Sequence, residues 1–215
     1  MPLDFAPLLV NQCLLSILAC CKDRNKNDIL SELFSMVYSS FIEKSMAHFQ
    51  EVRGFTPKHG SDCWFAPNCA LVGDVELGDN CTVWFSAVVR GDVNFIKVGN
   101  NTNIQDNVTI HGTYEKAGTT IGNNVSIGHN AVIHGCTIED NVLIGIGAIV
   151  LDHAVIKSGS IIGAGSVVLA GTVVDANAVY GGIPAKKLKE MDEGNKEMLG
   201  RIAGNYSMYA GWFKT

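Results

Sequence analysis

At 215 residues and 47% hydrophobic content, the chain is long enough for one domain with a full core and a terminal extension. A formal net charge of -5, with no basic cluster, excludes nucleic acid as a partner, because neutralising phosphates takes concentrated Lys and Arg. Seven cysteines without C-x-x-C spacing exclude a cysteine zinc ribbon and predict reduced thiols in a reducing compartment.

The first 21 residues, MPLDFAPLLVNQCLLSILACC, are apolar but fit no spanning or targeting pattern. Asn11 and Gln12 interrupt a run already short of the ~20 residues that cross a bilayer. No positive segment precedes it, and Asp4 comes before the first basic residue, Lys22, which argues against a signal or transit peptide. Such an end is expected to rest on a partner or a membrane surface. From Asp28 to about Val52, Ile29, Leu33, Met36, Val37 and Phe41 fall at helical spacing, with Asp28 as N-cap. RGFTPKHGS then ends the helix.

Between about Cys63 and Lys187 aliphatic residues recur every six positions. They run Leu77, Val83, Val89; Val98, Ile104, Ile110; Ile121, Ile127, Ile133; then Ile138, Ile144, Val150, Ile156, Ile162, Val168 and Val174. A period of six is neither helical nor simply alternating. It describes a hexapeptide solenoid, in which each unit forms one short parallel strand, three units close a triangular coil, and coils stack. The predicted fold is an all-β solenoid: residues 1–60 a partly helical extension, 61–187 the β-helix, 188–215 a C-terminal helix. Leu188, Met191, Met198, Leu199, Ile202, Tyr206 and Tyr209 would turn that helix toward the solenoid.

The register slips twice, from Val89 to Val98 with RGDVNF and from Ile110 to Ile121 with HGTYEKAGTT. Slips mark surface loops, and these two carry the candidate site. His111 follows Ile110 and His134 follows Ile133, so both hold the same place in their units. Their separation of 23 is one coil of 18 plus a five-residue insertion, which stacks them on one face. Strands about 4.8 Å apart let two imidazoles share a metal at about 2.0–2.1 Å each. His129, two after Ile127, points elsewhere and completes such a site only on a neighbouring chain across a three-fold axis. Three neutral nitrogens with an open position describe a catalytic zinc. Gln105 is placed to hydrogen-bond metal-bound solvent. Arg90 either pairs with an acid across the interface, steadies an anionic product, or forms a structural ion pair with Asp92. His48, His59 and His153 have no partner spacing.

RGD (Arg90 to Asp92), NIQDN (Asn103 to Asn107), the His of IHG (His111) and IGHNAVIHGC (Ile127 to Cys136) together resemble the gamma-class carbonic anhydrases, in order and nearly in spacing. NYSMY in the last helix, and a helical stretch ahead of the repeat, resemble the gamma carbonic anhydrase subunits of mitochondrial respiratory complex I. The resemblance implies a left-handed parallel β-helix, a trimer of identical or related chains, and zinc, or iron, at each interface. His111 and His134 would come from one subunit and His129 from the next. It further implies that Arg90 and Asp92 link subunits, that Gln105 contacts the metal-bound solvent, and that Tyr206 approaches the site. The implied reaction is hydration of CO2 to bicarbonate, on the complex I membrane arm at the matrix side of the inner membrane. There is one departure. The archaeal prototype carries glutamates that shuttle the proton, whereas Val93 follows Asp92 here and Glu115 is the only acid of the loop GTYEK. A purely structural complex I subunit is therefore the second reading. A hexapeptide acyltransferase is the third, and it leaves His111, His129 and Gln105 without a role.

Overall fold

The computed structural model describes residues 47–214. The apolar N-terminus and most of the helix expected from Asp28 lie outside them. The end of that expected helix is instead a strand: His48–Gln50 pairs in parallel with Ala70 to Val72. The first coil presents an unpaired strand edge, and the Phe49 ring packs edge-on against Phe65 at 5.1 Å, so pairing and packing override a helical spacing.

From Trp64 onward the chain winds through about seven coils. Each hexapeptide supplies two or three strand residues, and the stacked strands pair in parallel, Ile104 on Ile127 on Ile144 and Ile110 on Ile133 on Val150. These six side chains are fully buried and fill the narrow core as continuous columns. β-branched residues suit so short a strand, because their stiff χ1 loses little on packing.

Asparagine and aspartate turn the corners. Asn80, Asn101, Asn124 and Asn141 take φ of 55, 55, 54 and 57°, a left-handed conformation that Asn tolerates. Their amides form a ladder, Asn80 to Asn101 at 3.3 Å, then Asn101 to Asn124 and Asn124 to Asn141 at 3.2 Å each. The preceding residue in each corner accepts from the backbone one coil away, as Asp79 does from the Ser61 N–H at 2.7 Å. Corner polar groups are thus satisfied without water.

The first register slip is not a loop. Val88–Val98 is one long strand that bends around a corner, pairing with Thr109 and Ile110 at one end and Thr119 to Ile121 at the other. Its neighbour Ala70–Leu77 does the same, with a register shift between Gly73 and Val75. The bend holds because two glycine backbones meet there. A Cβ on Gly91 would lie 2.4 Å from the Asp74 carbonyl oxygen, and one on Gly73, at φ +73°, would lie 2.5 Å from that of Gly91. The second slip is a surface turn, closed by a bridge between Thr113 and Ala117.

At the far end Lys186–Glu190 adds an exposed antiparallel strand, which takes the first three residues, 188–190, of the expected helix. The helix α1 is Glu193–Gly211, opened by a capping box between Asp192 and Asn195. Ala210 is buried beside Trp64 and Trp84, with Tyr206 and Tyr209 packed on the same cluster.

Gly91→Ala places a methyl against an immovable carbonyl. We expect a loss of about 3 kcal/mol, read as a lowered denaturation midpoint with unchanged slope in urea.

Candidate functional site

His111 and His134 end the parallel strands Thr109–His111 and Val132–His134, and the register sets one directly over the other. Their ring centroids are 5.3 Å apart. The stacking expected from a separation of 23 is what the backbone delivers, the extra residues forming the Thr113 to Ala117 turn.

Each of these rings leans on a carboxylate. His134 Nδ1 lies 2.5 Å from Asp152 Oδ1, and the Thr113 hydroxyl donates to the other Asp152 oxygen at 2.5 Å. His111 Nε2 lies 3.0 Å from Asp92 Oδ1, while Arg90 Nη1 donates to Asp92 Oδ2 at 2.5 Å. The Arg90–Asp92 pair therefore closes within one chain. Burial pushes both carboxyls up, but hydrogen bonds outweigh it and hold them below the ordinary 3.8: from His111 and Arg90 on Asp92, from Thr113 and His134 on Asp152. Ionised carboxylates only accept, so the facing ring nitrogen carries the proton. In the neutral ring that leaves Nε2 of His134 and Nδ1 of His111 unprotonated.

His129 stands apart, at the corner after Ser126–Ile127. Its Nδ1 is 2.8 Å from Asp106 Oδ2 and its Nε2 is 3.2 Å from the Tyr206 hydroxyl, which reaches in from α1. Burial, then the Asp106 charge and Tyr209, pushes the Tyr206 phenol up to about 12, so it remains a donor. The His129 backbone N–H donates to Gln105 Oε1 at 3.2 Å. Gln105 Nε2 donates to Asn103 Oδ1 at 3.0 Å, and Asn103 Nδ2 to the Ser126 hydroxyl at 2.8 Å. This buried chain pins the Gln105 amide in one orientation.

The structure thus brings Arg90, Asp92, His111 and His134 together, and separately His129, Gln105 and Tyr206. No hydrogen bond or ring contact joins the two groups, and among the described residues no three His, Cys, Asp or Glu are arranged to hold one metal. The donor chemistry nonetheless fits a divalent metal in two halves. A stacked pair of carboxylate-held imidazoles forms one half, and a third carboxylate-held imidazole on a different corner forms the other.

Two supporting acids carried no assigned role in the sequence. Asp106 precedes His129 by 23, the same step that stacks His111 under His134. Asp152 follows His134 by 18, one full coil, just past the strand Ile149–Val150 that pairs with Val132–Ile133. Coil arithmetic applied to acids as well as imidazoles finds both.

A family model described as bacterial transferase hexapeptide (six repeats) matches residues 56–91 and 135–170. The chain is 37% identical over 162 residues to a carbonic anhydrase of Geobacillus kaustophilus, covering 75% of this chain and 88% of that one. This chain belongs to the hexapeptide-repeat family of the gamma carbonic anhydrases. It is also 39% identical over 156 residues to the mitochondrial gamma carbonic anhydrase 2 of Arabidopsis thaliana, covering 70% of this chain. The chain spans only 56% of that relative's length. A Bacillus cereus crystal structure described as an acetyltransferase superposes with a TM-score of 0.76 at 32% identity, covering 79% of this chain and 98% of that one.

The carboxylate pairings fix the tautomers of the gamma carbonic anhydrase-like imidazoles. In long-range 15N–1H spectra at pH 8, His129 and His134 should appear as the Nδ1–H form and His111 as Nε2–H. Asp106→Ala should shift His129 alone toward a mixture of the two forms.

Proposed function

We propose that this chain is a gamma-type carbonic anhydrase-like subunit that binds zinc, or iron, at the interfaces of a trimer. His111 and His134 of one chain and His129 of the next would hold the metal. The observation that carries the reading is the split itself: His111 and His134 are in register, while His129 is held by Asp106 and Tyr206 on another corner. A metal bound by three neutral nitrogens brings the pKa of a bound water near 7, which is the chemistry CO2 hydration needs.

The chain's own groups prepare the site. Asp152 and Asp106 hold protons on the Nδ1 atoms of His134 and His129, which turns Nε2 of each ring outward, that of His129 onto the Tyr206 hydroxyl. His111 is bonded at Nε2 to Asp92, so ligation there uses Nδ1 or exchanges the Asp92 contact for the metal. Gln105 offers a fixed amide beside His129, oriented through Asn103. Proton removal is the weak step. Val93 offers no carboxylate after Asp92, and Glu115 is exposed at the tip of its turn with φ 52°.

That weakness favours a second reading, a scaffold subunit of mitochondrial respiratory complex I with little or no turnover. The Arabidopsis relatives carry mitochondrial names, which supports the compartment, and the matrix side of the inner membrane is the proposed placement. Acyl transfer, which would use one imidazole as base, leaves His111, His129 and the pinned Gln105 unused.

Mixing decides the shared site. His129→Ala and the double variant His111→Ala/His134→Ala should each lose interfacial metal. Unfolded and refolded together in equal amounts, they should regain it at about a quarter of interfaces, as random three-fold mixing requires. Recovery of none, or full metal in His129→Ala, would contradict a site built from two chains. Where CO2 hydration is measurable, kcat should rise steeply with imidazole buffer while kcat/KM stays flat, because an external base replaces the missing shuttle.

A further inference from the structure

Cys63 and Cys81 precede paired residues on adjacent strands. Trp64 is in register with Thr82, and the Trp64 N–H donates to the Cys81 carbonyl at 2.9 Å. Cys63 therefore lies directly over Cys81, at the ~4.8 Å spacing of neighbouring strands, inside the Cα range of about 4.4–6.8 Å that a disulfide bridges. Both side chains turn the same way, toward the next corner: Cys63 Sγ to the Gly78 carbonyl at 3.2 Å and Cys81 Sγ to that of Gly99 at 3.1 Å.

We propose that Cys63 and Cys81 are a peroxide-sensitive thiol pair that closes to a disulfide, stapling the first coil to the second. The two sulfurs divide the labour. Cys63 is only partly buried, so a small oxidant reaches it, while Cys81 is fully enclosed. The neighbouring Cys81 thiol, helped by His59 and opposed by burial, brings the Cys63 thiol down to about 6, whereas Cys63 and burial push Cys81 up. Cys63, the accessible sulfur and the one whose thiol is lowered, is thus the attacking partner, and enclosed Cys81 is the resolving one. Cys69 and Cys136 are both buried and pushed up to about 12, which leaves them inert.

The chemistry balances with hydrogen peroxide as oxidant. Cys63 sulfur attacks one peroxide oxygen, the O–O bond breaks, and hydroxide leaves to give Cys63 sulfenic acid. That hydroxide takes the Cys81 proton and becomes water. Cys81 sulfur then attacks Cys63 sulfur, the S–O bond breaks, and the second hydroxide leaves as water with a solvent proton. The sulfurs are oxidised by two electrons, and peroxide is reduced to water.

The bridge would act where α1 is anchored. Trp64, next to Cys63, packs tilted against Trp84 at 4.7 Å and meets Phe213 at 5.3 Å, while Trp84 meets Tyr206 at 5.3 Å.

The full chain, treated with excess hydrogen peroxide, alkylated and mapped by mass spectrometry without reduction, should yield a peptide pair joined through Cys63 and Cys81, two hydrogens lighter than its parts. Reduction should restore both thiols. Cys81→Ser should accumulate sulfenic acid at Cys63, trapped as a dimedone adduct, and Cys63→Ser should give neither product. Both thiols remaining alkylatable after peroxide in the folded wild-type chain would overturn the proposal. So would a Cys81→Ser protein, folded by circular dichroism, that gives no dimedone adduct at Cys63.

Discussion

Parallel coils stacked in register impose one condition on every residue of the solenoid: whatever stands at a position is repeated in space one coil later. A two-residue strand has no stability alone, so each coil is held by the backbone hydrogen bonds and apolar columns it shares with its neighbours. Sequence and space are thereby locked together. Isoleucines align into a core, asparagines into a corner ladder, and histidines or cysteines placed a coil apart are forced face to face. The same condition limits size. Where the long bent strands pass closest, at Gly73 and Gly91, there is no room for a side chain.

The imidazole and carboxylate contacts follow from this geometry. Stacking brings two rings to the end of one face but cannot bring a third from the adjacent corner, because the corner rotates its side chain away. The acids sit by the same rule. Asp106 stands one coil below His129, and Asp152 one coil above His134, so each orients a ring without entering the place a ligand would take. Arg90 answers the charge of Asp92.

The solenoid is legible because burial samples the sequence every sixth residue, and insertion arithmetic alone places His111 over His134. Other features are not, for identifiable reasons. RGDVNF reads as an inserted loop because its interruption of the period is real, yet the chain absorbs it by bending a strand rather than leaving the sheet. His48–Gln50 and Lys186–Glu190 are strands only because a sheet edge is available to them, and neither carries an alternating pattern of its own. Asp106 and Asp152 were invisible to a search for ligands because a supporting acid has no periodic signature beyond its partner's position. Cys63 and Cys81, 18 apart, carried the stacking signal but in a residue type whose ordinary reading is core filler.

His129 differs from the other two imidazoles in what secures it. His111 and His134 are held by acids of the solenoid itself, so their placement is as rigid as the coils. His129 is held on one side by Asp106 and on the other by Tyr206, which belongs to α1. That helix touches the solenoid along one side and is fastened at its end by the aromatic cluster of Trp64, Trp84, Phe85 and Phe213. A helix joined only through its side chains moves more readily than strands joined by backbone ladders. The Tyr206 hydroxyl and an incoming metal compete for the same nitrogen, Nε2 of His129. Handing that nitrogen to a neighbouring chain therefore requires only that the phenol turn away, while Asp106 keeps the ring in the tautomer a metal needs.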